Sequence, residues 1–215
     1  MMSNMKENKR TYSKDHNQDG YTAQQEYFFH LLETRRTVRR FETCPVPEEH
    51  LERIITAACS APTAGNQQPW RFLIVKDRKR LDQLKEKALE WYFEIHKERI
   101  PEEKQGELQE EVLHALENIF TAPVYVVVLV DATAKYSQYA WYDGVLCAGY
   151  LIIAAHALGY GSGFFTTFFP EEKIKTFFNL PDHYKLICLC PIGIPTGDFE
   201  LPPKKELDDV IITEK

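Results

Sequence analysis

Val124-Tyr125-Val126-Val127-Val128-Leu129-Val130 is the stretch that most limits what this chain can become, with seven consecutive apolar residues and five valines among them. Valine favours extended backbone, and a strand sends successive side chains to opposite faces. A run with no polar alternation therefore describes a central strand covered on both sides. Two other stretches can pair with it: Arg71 to Val75, which follows a proline-rich loop, and Leu186 to Pro191, which is closed by Gly193-Ile194-Pro195. The 215 residues suffice for one core, because a chain of this size buries roughly 70% of the surface it exposes when unfolded.

Apolar periodicity supplies the helices. Tyr27, Phe28, Leu31 and Leu32 mark one that begins at Gln25 and runs into a cluster of arginines. Pro47-Glu48-Glu49-His50 opens the next, with Leu51, Ile54, Ile55 and Ala58 as its buried stripe. Residues 77–120 read as a charged helical excursion outside the core, interrupted at Pro101 and carrying Trp91, Tyr92 and Phe93 near its middle. Such an excursion is either a docked helical pair or a lid over a site. A helix from about Tyr139 to Leu158 interleaves Gly144, Ala148, Gly149, Ala154 and Ala155 with larger apolar residues, which permits close approach of another helix in this chain or in a second copy. A short helix, Lys173 to Phe178, follows Pro170-Glu171-Glu172. Strands and helices mix without regular βαβ alternation, so the pattern predicts an α+β sandwich. Residues 1–24 hold almost no apolar side chains and read as a mobile polar tail, leaving 25–215 as a single domain.

Charge and cysteine usage exclude several function classes. A formal charge of −6 argues against nucleic acid as a partner. No apolar stretch is long enough for a membrane span and the N-terminus is polar, which predicts a cytoplasmic protein with no membrane partner. Cys188 and Cys190 alternate within an apolar strand and read as small core residues; the five cysteines suggest neither a disulfide framework nor a metal site.

Four features carry chemistry. Arg35-Arg36-Thr37-Val38-Arg39-Arg40 concentrates positive charge in an acidic chain, which suits a small anionic ligand bound by guanidinium forks. The loop Pro62-Thr63-Ala64-Gly65-Asn66-Gln67-Gln68-Pro69-Trp70 is fixed by its prolines and rich in amide donors and acceptors. Gly159, Gly161 and Gly163 precede the aromatic, strand-like Phe164-Phe165-Thr166-Thr167-Phe168-Phe169 rather than a helix, so they do not form a dinucleotide fingerprint. Lys204-Lys205 lies in an extended C-terminal segment.

In this order and at these separations the four features resemble the FMN-dependent nitroreductase family, over about residues 28 to 212. The resemblance implies a nitroreductase-like sandwich with a mixed, mainly antiparallel sheet flanked by helices, and a homodimer with FMN at the subunit interface. It implies that Arg35, Arg36, Thr37 and Arg39 contact the FMN phosphate and ribityl chain, with Lys204 and Lys205 as the second basic group, where many relatives carry arginine. Pro62, Thr63, Ala64 and Asn66 would reach the flavin bound mainly by the other subunit; Ala64 replaces the commoner serine and removes one hydroxyl. Thr166 and Thr167 match the segment beside the flavin N5, the atom at which hydride arrives and leaves. The implied activity is ping-pong reduction of a nitroaromatic, quinone or related small electrophile by NADH or NADPH, with residues 77–120 shaping the acceptor pocket.

The ending Lys204 to Val210 also resembles the iodotyrosine deiodinase branch. That branch clamps an amino-acid zwitterion with Glu, Tyr and Lys, where this chain offers Tyr92, His96 and Leu116, with Glu90, Glu94 and Lys97 nearby. A flavin-binding protein without rapid turnover, acting as a reservoir, a sensor or a flavin-fragmenting enzyme, is the other alternative.

Overall fold

The valine run does become the middle of a sheet. The computed structural model describes residues 21–96, 101–197 and 203–214. Within them β1 (Trp70–Val75), β2 (Val124–Asp131) and β3 (Tyr184–Ile192) form an antiparallel sheet in the order β1-β2-β3. Val124, Val126, Val128 and Val130 enter one buried cluster while Tyr125, Val127 and Leu129 enter another, so β2 supplies both halves of the core. Opposite Val128 and Leu129 the register of β3 shifts, pairing Cys188 and Leu186 and leaving Ile187 as the extra residue of a bulge. The bulge turns Ile187 and Cys188, neighbours in sequence, toward the same cluster.

One face of the sheet is covered by α2 (Glu48–Ala58) and α5 (Ser137–Ala157). Leu51, Ile54 and Ala58 of α2 are buried as their spacing predicts, and Ile55 packs at the margin. Cys188 and Cys190 lie in this core as small residues with their sulfurs 3.6 Å apart. Burial pushes the Cys188 thiol well above its usual range and the neighbouring Cys147 thiol to about 12.

The other face is covered by α3 (Arg78–His96), α4 (Gln105–Ile119) and α6 (Glu171–Phe178). The inner turns of the helical pair dock on the core. Leu81, Leu84 and Ala88 of α3 and Val112, Leu116 and Ile119 of α4 are buried in the same cluster as Tyr125 and Val127. Each fully buried leucine contributes roughly 1.5–3 kcal/mol, which makes these turns a structural layer of the sandwich. The distal turns extend beyond it, and Ile95 is half exposed.

The first helix, α1 (Ala23–Thr34), starts two residues before the expected Gln25 because Thr22 and Gln25 form a reciprocal capping box. Most of the predicted tail, residues 1–20, lies outside the described residues. Gly144 serves the inner face of α5, since a Cβ there would stand 2.5 Å from Val130 and 2.7 Å from Ile187, whereas one on Gly149 would meet nothing within 4 Å. Its outer face exposes Trp141, Tyr142, Val145, Leu146 and Tyr150, and α1, packed beside it, exposes Phe28 and Leu32. Among the described residues no helix is long and apolar enough to cross a membrane.

Candidate functional site

The arginine segment begins where α1 stops. Arg36 turns its guanidinium back onto the helix end and donates to the carbonyls of Glu33 (2.8 Å) and Arg35. That is a C-terminal capping role, in which the cation meets the negative end of the helix dipole. Arg40 Nε donates to Asn118 Oδ1 at 3.0 Å. Arg35 and Arg39 make no side-chain hydrogen bond or ion pair among the described residues. Two of the four arginines thus hold structure and two are free for a ligand.

His156, in the last turn of α5, stands beside this cluster. Thr34 Oγ1 donates to His30 O at 2.7 Å, so it accepts from His156 Nε2, 3.1 Å away, and the ring proton belongs on Nε2. Burial holds the His156 pKa below the ordinary value of 6.5, and the charges of Arg35, Arg36 and His30 act in the same direction.

Beyond the arginines the chain docks on the glycine segment. Thr37 and Ser162 form a parallel bridge, and Val38 N–H donates to Ser162 O at 3.0 Å. Gly161 in turn pairs with Gly193, and Phe165 exchanges both backbone hydrogen bonds with Leu189 (3.0 and 2.9 Å). The free edge of β3 is thereby extended by residues 161–165 and then by Thr37, which makes the sheet margin mixed. The glycines permit this approach: a Cβ on Gly161 would lie 2.7 Å from Val38 Cβ, and one on Gly163 would lie 2.9 Å from Thr37 Cγ2. Phe165 and Phe169 are buried and anchor the next turn, leaving Thr166 and Thr167 exposed between them.

Three buried side-chain atoms lack a partner among the described residues: Arg36 Nε, Ser162 Oγ and Thr196 Oγ1. All three belong to this margin, since Thr196 N–H donates to Arg40 O. Orphaned polar atoms are rare in folded proteins, and these three lie in the margin that carries the two free arginines. An anionic phosphate with a hydroxylated chain has the chemistry that these groups require. The residues present therefore fit FMN.

The proline-rich loop is held elsewhere. Its backbone turns through Ala64–Asn66, with φ of +55° at Gly65 and +56° at Asn66. Gly65 is required there because the ring of Tyr136 occupies the place of a Cβ. Gln67 donates to Tyr136 O (3.1 Å) and accepts from Tyr136 N–H (2.8 Å), while Asp143 on α5 accepts from Ala64 N–H (3.2 Å) and Gln67 Nε2 (2.8 Å). Gln67 is thus a loop stabiliser and Trp70 is core, while Asn66 remains exposed. Thr63 Oγ1 accepts from Gln68 N–H at 3.3 Å, and Pro62 is exposed.

Within one chain this loop does not meet the arginines. It enters β1 at Trp70, opposite Val130, whereas the arginine margin adjoins Gly193, just past the Val124–Ile192 pair. The six residue steps from Val124 to Val130 amount to about 20 Å of strand. Lys204 and Lys205 are exposed, and among the described residues no hydrogen bond or ion pair joins them to the arginines.

The helical pair does touch the Thr166 segment. Tyr92 lies 5.5 Å from Phe168, ring to ring, and 4.6 Å from His96. Lys173 Nζ binds both oxygens of Glu94, at 2.8 and 2.9 Å. Sequence reasoning missed Asp143, Tyr136, Ser162 and His156. A lone acidic residue in the apolar run from Ala140 to Ala155 was the available signal for Asp143.

Known proteins resemble this chain over most of its length. The model of the nitroreductase family matches residues 32–194. An iodotyrosine deiodinase of Thermotoga neapolitana is 30% identical over 186 residues, covering 83% of this chain and 94% of its own. An NADH dehydrogenase of Thermus thermophilus is 28% identical over 201 residues, covering 83% and 91%. Among solved structures, oxidised iodotyrosine deiodinase bound to FMN and 3-iodo-L-tyrosine superposes with a TM-score of 0.71 at 28% identity, covering 86% of this chain and 97% of that one.

Proposed function

This chain belongs to the nitroreductase family, and from that premise we propose that it is a cytoplasmic, homodimeric FMN oxidoreductase that uses NADH or NADPH to reduce a small electrophile such as a nitroaromatic or quinone. The observation that carries the reading is the pair of free arginines, Arg35 and Arg39, in the same margin as the unpartnered atoms Arg36 Nε, Ser162 Oγ and Thr196 Oγ1. Arg35 and Arg39 hold the phosphate, Thr37 offers its hydroxyl to the ribityl chain, and Lys204 and Lys205 add charge. Arg36 acts from behind by capping α1 and fixing where Arg35 stands. FMN held there would supply the redox chemistry that links the nicotinamide to the acceptor, in the ping-pong order that the family resemblance implies. Thr166 and Thr167 donate hydrogen bonds at the reactive edge of the ring.

The separation of loop and arginines supports a second copy in each site. Pro62, Thr63, Ala64 and Asn66 of one subunit complete the pocket begun by Arg35 and Arg39 of the other. The apolar outer face of α5 supports the same assembly, because a helix apolar all round is one that is covered all round. The test is anaerobic titration of the purified protein with NADH and with NADPH, followed by acceptor addition. Bleaching of a yellow protein and recovery on adding nitroaromatic or quinone is the expected result. A yellow protein that neither nicotinamide bleaches would overturn the reductase reading in favour of a flavin carrier.

Reductive deiodination is a second reading, supported by the 30% identical relative. Two nearby carboxylates have lysine partners in the single chain, Glu90 with Lys87 and Glu94 with Lys173, both as exposed pairs. Halotyrosines in the acceptor screen separate the two reactions.

A further inference from the structure

Among the described residues Asp143 is the one buried acidic side chain, and it stands on α5 against the proline-rich loop. It is 4% exposed, no cation pairs with it among the described residues, and both its oxygens accept from the proline-rich loop: Oδ1 from Ala64 N–H and Oδ2 from Gln67 Nε2. Burying a carboxyl group costs free energy unless its hydrogen bonds are recovered, and a hydrophobic residue would serve packing alone better. Both recovered bonds go to one short stretch on either side of Asn66. Gln67 passes the constraint on through its paired bonds to Tyr136, whose ring closes over Gly65. Asn66 itself is exposed, in left-handed backbone with φ of +56°, a conformation that asparagine adopts more readily than other non-glycine residues, and its side-chain oxygen accepts from Gln68 Nε2 at 3.0 Å.

We infer that Asp143 is a positioning residue that, through Ala64 and Gln67, fixes the left-handed turn presenting Asn66 to the flavin of the partner subunit. The inference rests on the cofactor reading above. An aspartate is needed because two N–H groups must be accepted side by side. Asparagine has the same shape but offers one acceptor oxygen, and it turns an N–H toward a donor.

The test measures FMN affinity by flavin fluorescence, the reduction potential of the bound flavin and the thermal unfolding midpoint for wild-type, Asp143→Asn and Gln67→Leu proteins. Gln67→Leu cuts the link from the loop side and reports the same connection if Asp143→Asn does not fold. Both variants are expected to lose about tenfold in FMN affinity and to shift the flavin potential, as the loss of one hydrogen bond to a charged group implies. Variants that fold with unchanged affinity and potential, while the wild type binds FMN, would overturn the role of Asp143 alone. A wild-type protein that takes up no FMN would overturn the cofactor reading and this inference with it.

Discussion

Tyr92 and Phe168 lie with ring centroids 5.5 Å apart, which ties the helical pair to the turn that carries Thr166 and Thr167. The tie is reinforced along α3. Glu94 binds Lys173, Trp91 meets Phe177 edge to face at 6.1 Å, and Arg80 lies 3.8 Å over the Phe177 ring. Helix α3 is therefore a fixed wall against the segment assigned to the reactive edge of the flavin.

From that contact, Tyr92→Ala is expected to impair acceptor binding while sparing the cofactor. An aromatic pair contributes about 0.5–1.5 kcal/mol beyond its buried area, so KM for an aromatic acceptor should rise roughly fivefold. The FMN dissociation constant should stay at its wild-type value. Steady-state kinetics at saturating nicotinamide, alongside a flavin titration, measure both. A loss of FMN in this variant would place Tyr92 against the cofactor instead.

The double variant Arg35→Ala/Arg39→Ala addresses the phosphate. Charge-assisted hydrogen bonds contribute about 1.5–3 kcal/mol each, so FMN affinity is expected to fall by at least roughly a hundredfold. Neither side chain has a partner within the described chain, and the unfolding midpoint of the cofactor-free protein should hardly move. Arg36→Ala should behave in the opposite way, lowering apo stability because its guanidinium caps α1. Calorimetry of the apo proteins and fluorescence titration with FMN distinguish ligand arginine from capping arginine.

The contrast between Arg36 and its neighbours shows where sequence reading reached and where it stopped. A run of arginines announces an anion, but four similar side chains carry no mark of which one folds back onto a helix end. The valine run was legible because its period is local, and the arginine, loop and glycine segments because each keeps its chemistry within a few residues. Asp143 was not legible as a loop anchor, since its partners at residues 64 and 67 reach it only through the fold. Ile187 is another such case: isoleucine suits either face of a sheet, and only the register with β2 reveals the bulge. The helical pair divides because Leu81, Leu84 and Leu116 show the same helical spacing whether or not the helix stands over a core.

His156 gives the protein a pH dependence whose sign is fixed. Its pKa in the folded chain lies below the ordinary 6.5, through burial first and the charges of Arg35, Arg36 and His30 second. The unfolded chain then binds the proton more readily, so folding is favoured by deprotonation. The stabilising contribution is complete above about pH 6.5 and is lost as the pH falls through the folded value. In the apo protein, wild-type unfolding midpoints should drop between pH 7 and pH 5.5 by more than those of His156→Gln. Parallel pH profiles for the two proteins would show that the ring near Thr34 is not the titrating group.

The separation of the proline-rich loop from the arginines leads to the strongest test of assembly. Asn66 belongs to the Val130 end of the sheet and Arg35 to the Val124 end, so a site containing both must be built from two chains. The outer face of α5 is the surface available for that contact, and Tyr142 stands on it with 66% of its area exposed in the single chain. Tyr142→Glu places a carboxylate in the face that would be buried, and truncation or charging of a central aromatic at an interface costs about 2 kcal/mol or more. Sedimentation is expected to show a dimer for the wild type and a monomer for the variant. The monomer should also lose most of its FMN, although Arg35, Thr37 and Arg39 are untouched, because the partner's loop is gone. A monomer that retains FMN at wild-type affinity would mean that one chain completes the site alone, and Asn66 would then lose its place beside the flavin.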